Sequence, residues 1–306
     1  MIEQSASAVV MIRPSRFYPN PETAPDNAFQ QEAKAGEDVS PLAQSEFDTA
    51  VAALRDAGVT VDVFVDTPAP SKPDAVFPNN WFSTHEDGRV ALYPMYSSSR
   101  RAERRPDLIE ALRAHYEVSA VVDYSFYEKR GRYLEGTGSL VLDRVHRIAY
   151  VSLSKRADRE PLRKFCADFD YEPFTFESTG ADGRPTYHTN VMLCVGSGFA
   201  LVGLDLIDDH ARREALRARL EATGKTIIAL ARDQIENFAG NALELRVEQS
   251  KLLVLSTRAA AALTDEQRAT IARSARLLPL TLPTIELAGG SARCMMAAIH
   301  LPRRAS

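Results

Sequence analysis

The chain has 306 residues, of which 45% are hydrophobic and 25% charged, as in an ordinary globular protein with a substantial core. Its formal net charge of −4 provides no basic surface for phosphates or anionic lipids, so nucleic acids and membranes are excluded as expected partners and a small-molecule substrate is favoured. The N-terminal stretch MIEQSASAVVMIRPSRF has an acidic residue at its start and only a short apolar run, which predicts no signal peptide and favours a cytoplasmic location.

Five helical segments are predicted from apolar residues that recur at helical spacing. The first follows Ser40 and Pro41, an N-cap and N1 pair, and ends at Gly58. The next three cover about 106–116, 158–169 and 208–223, and the fifth begins near a cap at Thr264.

Short apolar runs between these helices are predicted to be strands: AVVMI, VTVDVFV, VALYPM, SLVLD, HRIAYVSL, HTNVMLCV, GFALVGL, TIIAL, ALELRV, KLLVLS and MMAAI. Strand pairs alternate with single helices, and no Pro- or Gly-rich linker separates the units. Residues 1–306 are therefore predicted to form one closed, pseudo-symmetric α/β domain. A polar loop over about 14–39 is long enough to cover an active site.

The three cysteines, Cys166, Cys194 and Cys294, are an odd number without CxxC spacing, which predicts neither a disulfide framework nor a metal site. No GxGxxG turn or P-loop occurs, so no cofactor is predicted. Cys166 lies on an apolar helix face and Cys194 within the run VMLCV, so both are interpreted as core residues. Cys294 follows GGSAR and precedes an apolar strand, where it is either a packed thiol or a nucleophile facing a cavity.

A thiol needs a base or a cationic neighbour to become a thiolate. His188 begins the strand-like run HTNVMLCV and could project from the mouth of that strand. Glu135, in LEGTGS, also precedes a strand, and it is either a buried acid that orients chemistry or an inert loop residue. The remaining histidines are predicted to be solvated: His85, His115, His146, His210 and His300.

Three segments in chain order, LEGTGS, YHTN and GGSARC, resemble the guanidino-group-modifying superfamily of arginine deiminases, dimethylarginine dimethylaminohydrolases and amidinotransferases. FPNNW is similar to the first active-site strand of that superfamily. The resemblance implies a pentein fold, a five-bladed α/β propeller of ββαβ units with pseudo-fivefold symmetry. It also implies that Cys294 is the nucleophile, His188 the acid and base, and Glu135 the carboxylate that orients the substrate nitrogen and the histidine, with no metal and no cofactor.

Two positions depart from the deiminase pattern that this resemblance implies. Where deiminases clamp the cationic guanidinium with two aspartates, this chain has Asn80 and Asn190. Asparagine is neutral and presents both a donor and an acceptor, which favours a neutral ureido group over a guanidinium. The stretches FPNNWFSTHEDG and YHTNVM also resemble a citrulline-utilisation subgroup. We therefore expect a cysteine-dependent hydrolase that converts citrulline to ornithine, ammonia and carbon dioxide through an S-linked intermediate.

Several alternatives stay open at this point. Arg101 and Arg104, in SRRAERR, are candidates to bind a substrate carboxylate, although a solvated cluster is equally expected. The substrate could instead be arginine or a methylarginine, and an amine could replace water, as in an amidinotransferase. A non-catalytic binding propeller is an alternative from another class, and a homodimer is compatible with the sequence.

Overall fold

The computed structural model describes residues 2–34 and 36–304. Within these residues the strands form five three-stranded sheets. In chain order they are β1 Ala8–Arg13, β2 Thr60–Val65, β3 Phe82–Thr84, β4 Arg89–Leu92, β5 Ala120–Asp123, β6 Val141–Asp143, β7 Ile148–Ser152, β8 Glu172–Phe176, β9 Leu193–Val195, β10 Phe199–Val202, β11 Thr226–Ala229, β12 Leu243–Val247, β13 Ser250–Ser256, β14 Arg276–Leu280 and β15 Ala297–Ile299.

The five predicted helices are all present, together with shorter ones between the strands. The α-helices are α1 Ser40–Asp56, α2 Ser98–Arg101, α3 Pro106–Leu112, α4 Gly136–Ser139, α5 Arg159–Phe169, α6 His210–Ala222, α7 Arg232–Glu236, α8 Thr257–Ala262 and α9 Asp265–Ala272. Single 3₁₀ turns cover Pro78–Asn80, Ser125–Arg130, Thr189–Val191, Leu204–Leu206 and Ile285–Ala288. The predicted cap Thr264 accepts a hydrogen bond from the backbone of Gln267 in a capping box. Ser40 is not the N-cap of α1, because its hydroxyl accepts from the backbone N–H of Phe17 instead.

All five sheets share one plan, which confirms the predicted ββαβ units. An inner strand pairs antiparallel with a middle strand, and the middle strand pairs parallel with an outer strand across a helical connection. The inner strands are β3, β6, β9, β12 and β15. The sheet of β15, β1 and β2 is made from both ends of the chain, with Ala8 opposite Ile299 and Val10 opposite Ala297.

The inner strands surround a narrow central channel. Neighbouring inner strands pack on one another across the gaps between sheets, as β15 does on β3 and β9 on β6 and β12. Residues from all five line the channel: Ser83, Leu142, Cys194, Glu244 and Ala298. At one end, the Gln4 side chain donates to the carbonyl groups of Leu142 and Val195 and so closes the channel.

Four strands were not predicted from the sequence: β3, β5, β8 and β14. The last three are outer strands, and most of their side chains are exposed or only partly buried. Their apolar stretches, such as AVV in β5 and LLPL in β14, are too short to distinguish a strand from a loop. The strand β3 has three residues, too few for a periodic signal. The fold of one domain over 1–306 stays a prediction, and residues 1, 35, 305 and 306 lie outside the described part of the chain.

Within the described ranges, no helix has the length and apolar character needed to cross a membrane.

Candidate active site

Five of the seven predicted site residues gather at the end of the channel where the inner strands begin. The turn before β3 holds Asn80, the turn before β9 holds Asn190, and the turn before β15 holds Cys294. A cavity of about 20 Å³ at this mouth is lined by Asn80, His188 and Cys294. Glu135 lies behind it, hydrogen-bonded to His188. The ring of five strands thus brings together segments more than 200 residues apart in the chain.

The thiol of Cys294 is buried and faces two amide donors. Asn241 Nδ2 lies 3.3 Å and Asn190 Nδ2 lies 3.5 Å from Cys294 Sγ. The orientation of the Asn241 amide is fixed, because its Oδ1 accepts from the backbone N–H of Arg293 at 3.1 Å. Both amides therefore direct an N–H group at the sulfur.

His188 and Glu135 form a buried pair. His188 Nε2 and Glu135 Oε2 are 2.8 Å apart, and Glu135 Oε1 accepts from the backbone N–H of Tyr96 at 2.9 Å. Burial lowers the pKa of His188 to about 4, despite the opposing effect of Glu135. The imidazole is therefore neutral near pH 7, with Nε2 as donor to Glu135 and Nδ1 left as a proton acceptor.

Two buried arginines hold Glu135 ionised. Burial by itself raises the pKa of Glu135, but Arg156, His188 and Arg100 outweigh it and lower the value to about 2. Arg156 Nη1 is 3.6 Å and Arg100 Nη1 is 3.9 Å from Glu135 Oε2. Arg156 is in turn held by bidentate hydrogen bonds to Asp26.

Asn80 and Asn190 each present one unpaired amide atom. Arg100 Nη1 donates to Asn80 Oδ1 at 2.8 Å, and because a guanidinium only donates, Asn80 Nδ2 must be the free end. Asn190 Nδ2 points at sulfur, so its Oδ1 is the free end. Neither free atom has a hydrogen-bond partner among the described residues. Gly138 makes room for this arrangement, since a Cβ there would lie 2.3 Å from Asn80 Nδ2 and 2.7 Å from His188 Nδ1.

The loop over 14–39 lies over the cavity, within its described residues. Thr23 and Asn27 contribute to the cavity lining, and Asp26 binds Arg156. Asn20 Nδ2 donates to Asp74 Oδ2 at 2.8 Å. A cavity of this size holds about one water molecule, so an amino-acid substrate does not fit into it as it stands.

Arg101 and Arg104 are not brought to the cavity, contrary to the prediction that they bind substrate there. Arg104 pairs with Glu128, with Nη2 3.0 Å from Glu128 Oε2, and Arg101 donates to the carbonyl group of Met95. The side chain of the neighbouring Arg100 points inward instead. Its Nε and Nη2 each donate a hydrogen bond of 2.9 Å to Glu103, which holds this orientation. Asn241, Arg156 and Arg100 were missed by the sequence interpretation.

The other cysteines pack as predicted, but two histidines do not. Cys166 and Cys194 are buried, and burial raises the pKa of each to about 12. His85 is buried rather than solvated, with its ring centroid 4.0 Å from that of Phe169, and His300 is partly buried. His85 packs against Phe169 of α5, which is distant in the sequence, so its burial could not be predicted from the residues around it. Among the described residues, no group of three or more His, Cys, Asp or Glu side chains could hold a metal ion.

Comparisons with proteins of known structure agree with this fold. The chain resembles the N-terminal domain of ArgZ, an arginine dihydrolase from the ornithine-ammonia cycle in cyanobacteria, at 17% identity and a TM-score of 0.73 over 96% of this chain and 99% of that domain. Unliganded AgrE is 18% identical with a TM-score of 0.76, over 100% of this chain and 40% of AgrE. A dimethylarginine dimethylaminohydrolase adduct is 14% identical with a TM-score of 0.62, over 99% and 100% of the two chains.

These identities show the fold, which confirms the predicted pentein architecture. No curated protein matches the chain in sequence. The family model described as N,N dimethylarginine dimethylhydrolase, eukaryotic, matches residues 13–301. This match confirms the predicted superfamily and the prediction of a hydrolase that acts on non-peptide C–N bonds. The chain belongs to the N,N dimethylarginine dimethylhydrolase family.

Proposed function

We propose that this protein hydrolyses the terminal C–N bond of a ureido amino acid, and that citrulline is its substrate. Cys294 serves as the nucleophile, His188 as the acid and base, and Glu135 as the residue that orients His188. Expected products are ornithine, ammonia and carbon dioxide.

The observation that carries the choice of substrate is a pair of free amide atoms, one on Asn80 in the cavity lining and one on Asn190, which contacts Cys294 through its other amide atom. Asn80 Nδ2 is a donor whose orientation Arg100 fixes, and Asn190 Oδ1 is an acceptor. A ureido group presents one carbonyl oxygen and one NH2 group, which match a donor and an acceptor. A guanidinium presents N–H donors only, so it would leave Asn80 Nδ2 facing another donor.

The residues support a two-step reaction. The thiol proton passes to His188 Nδ1, and the thiolate adds to the ureido carbon. The C–NH2 bond breaks as His188 returns the proton, which releases ammonia and leaves a thiocarbamate on Cys294. His188 then takes a proton from water, whose oxygen attacks the same carbon. The C–S bond breaks, and the carbamate formed decomposes to ornithine and carbon dioxide.

A guanidino substrate is the second candidate, and a specific observation favours it. Asp74 is buried and lines the cavity, so its carboxylate could accept from a guanidinium. Arg100 Nε lies 3.7 Å from Asp74 Oδ2, so Arg100 and a guanidinium substrate would compete for this carboxylate. The solved relative ArgZ is an arginine dihydrolase, and AgrE has been solved with L-arginine.

A substrate panel of citrulline, arginine and methylarginines, read by ammonia release, tests the proposal. We expect citrulline to have the highest kcat/KM. We expect Asn80→Asp to lower it by roughly 10²-fold, because a carboxylate repels the ureido oxygen while leaving a guanidinium unopposed. Asn237→Asp, at the end of α7, is the matched control and should leave kcat/KM unchanged.

Turnover of arginine without turnover of citrulline would contradict the ureido assignment and favour the second candidate. Addition of glycine or ornithine to the assay distinguishes transfer from hydrolysis, since a transferase would form a guanidino or ureido derivative of the added amine. The cytoplasmic location and the homodimer stay predictions.

A further inference from the structure

The central channel contains a second enclosed space, on the side of Cys294 away from the active-site cavity. We call it the axial chamber; its lining includes Arg144, Arg293, His300 and Glu244. Gln4 closes its far end through hydrogen bonds to strand carbonyl groups. Its volume of about 60 Å³ has room for about four waters or one small ion.

Two guanidinium groups face this chamber, and one of them has no carboxylate partner. Arg293 has no carboxylate oxygen within 4.0 Å among the described residues, and its Nη1 donates to the carbonyl group of Met296 at 2.8 Å. Arg144 is buried, and Glu86 is 3.8 Å from it. Burial and the charges of Arg144, His85 and Arg293 lower the pKa of His300, so its imidazole is neutral. The charge of Arg293 is therefore buried in the chamber without a carboxylate partner, and an anion would stabilise it.

The chamber also contains an unpaired acceptor. Glu244 Oε1 accepts from Ser5 Oγ and from the backbone N–H of Ser197 at 2.9 Å, which fixes that oxygen on the wall. Glu244 Oε2 is buried with no hydrogen-bond partner among the described residues. An occupant that satisfies all these groups needs a negatively charged planar edge for guanidinium and one O–H donor for Glu244. Chloride and nitrate have no such donor, whereas bicarbonate has both features.

The chamber is connected to the nucleophile by a short path. The backbone N–H of Arg293 donates to Asn241 Oδ1, and Asn241 Nδ2 donates to Cys294 Sγ. Arg293 also directly precedes Cys294 in sequence. Burial lowers the pKa of Arg293 to about 10, and the interaction with Cys294 opposes this shift. An anion bound to Arg293 weakens the attraction between its guanidinium and the sulfur.

We propose that the axial chamber is a bicarbonate site, formed by Arg293, Arg144 and Glu244, whose occupation lowers the reactivity of Cys294. The site is separate from the substrate cavity and does not depend on which amino acid is hydrolysed. A reaction that releases carbon dioxide would, however, be subject to feedback through it, because carbon dioxide hydrates to bicarbonate.

The test is the rate at which iodoacetamide alkylates Cys294 in the intact protein, followed by mass spectrometry of the Cys294 peptide. Sodium bicarbonate is titrated at constant pH and ionic strength, with sodium chloride and sodium nitrate as parallel series. We expect bicarbonate to slow alkylation several-fold with a saturable dependence, and chloride and nitrate to have no saturable effect. Arg293→Met should abolish the bicarbonate effect, whereas Arg268→Met, on α9, should preserve it.

Glu244→Gln is a second variant, which keeps the shape of the chamber lining. It replaces Arg293→Met in the test if that variant does not fold. It should weaken apparent bicarbonate affinity about 10-fold, because the amide offers a poorer acceptor. Absence of a saturable effect in the unaltered protein would overturn the proposal. So would equal effects of nitrate and bicarbonate, or a bicarbonate response that survives both variants.

Discussion

The inner and outer strands of the same sheets differ in what they carry. Inner strands such as β9 and β15 have three residues each and are mostly buried, and each follows directly on a turn that presents a site residue. Outer strands such as β5 are mostly exposed and contribute no residue to the cavity lining. The candidate site residues therefore lie on turns that the five neighbouring sheets hold in place, whereas the outer strands complete each sheet at its edge.

The largest expected effect is at the turn before β15. Cys294→Ala removes the proposed nucleophile and should lower kcat by roughly 10⁴-fold or more. Steady-state ammonia release measures this loss, and thermal unfolding measures stability. The matched control is Cys166→Ala, a buried thiol on α5 outside the cavity.

The control variant should lose stability and keep its activity. We expect Cys166→Ala to lower the free energy of unfolding by about 1 kcal/mol, through lost packing, with kcat unchanged. Product formation by Cys294→Ala at the rate of the unaltered protein would refute the nucleophile assignment.

The next effect concerns the turn before β6. In Gly138→Ala the added Cβ would overlap Asn80 Nδ2 and His188 Nδ1, so one of these side chains must shift. A displacement of about 1 Å costs on the order of 10²-fold in kcat/KM. Gly198→Ala is the matched control, because its Cβ would meet no atom closer than 3.8 Å. Equal activity of the two variants would show that the spacing around Gly138 is not critical.

A smaller effect is expected in the pH dependence of stability. The unfolded chain protonates His188 below about 6.5 and the native state only below about 4, so native stability falls as pH decreases across that window. In the unaltered protein the free energy of unfolding should fall between pH 6.5 and about 5, and His188→Gln should make this fall smaller by roughly 2 kcal/mol. Urea unfolding at the two pH values measures it.

The exposed His115 provides the control for this measurement. His115→Gln removes one surface imidazole, so the difference between the two variants isolates the contribution of the buried histidine. If His188→Gln and the unaltered protein have the same pH dependence of unfolding, His188 is not held neutral by burial.

The smallest effect is expected on an outer strand. Val121 lies on β5 and is 38% exposed, so Val121→Thr should change the free energy of unfolding by less than about 0.5 kcal/mol. Val90, its partner on the middle strand β4, is fully buried, and Val90→Thr should cost several times more because a hydroxyl is buried. Comparable losses from both variants would remove the distinction between outer and interior strands.

The difference between outer strands and the other elements also bears on which elements could be predicted from the sequence. Helices bury one face in a large core, which leaves a periodic apolar pattern such as that of α5, and middle strands such as β13 are continuous apolar runs. Outer strands are more exposed. Two of them, β2 and β11, were still predicted from their apolar residues, whereas β5, β8 and β14 were missed. The pairing of β15 with β1 joins distant parts of the chain and has no local signal in the sequence.

Prediction of the site follows a similar division. Cys294, His188 and Asn190 adjoin inner strands, so local sequence marks them as candidates. Arg100 differs from Arg101 only in the direction that α2 gives its side chain, and that direction depends on Glu103 and Glu128. The roles of Arg156 and of the loop over 14–39 arise from contacts across the ring. Asn241 had a usable signal, since it precedes β12 as Asn190 precedes β9.

The pairing of β15 with β1 determines whether the proposed nucleophile has its neighbours. Cys294 lies in the turn before β15, and β15 completes the sheet of β1. The two amide donors of Cys294 and His188 come from the turns before β9 and β12, in two other sheets. These neighbours surround the thiol only when the five sheets close into a ring. The accessibility of Cys294 to an alkylating reagent would therefore report on closure of the ring.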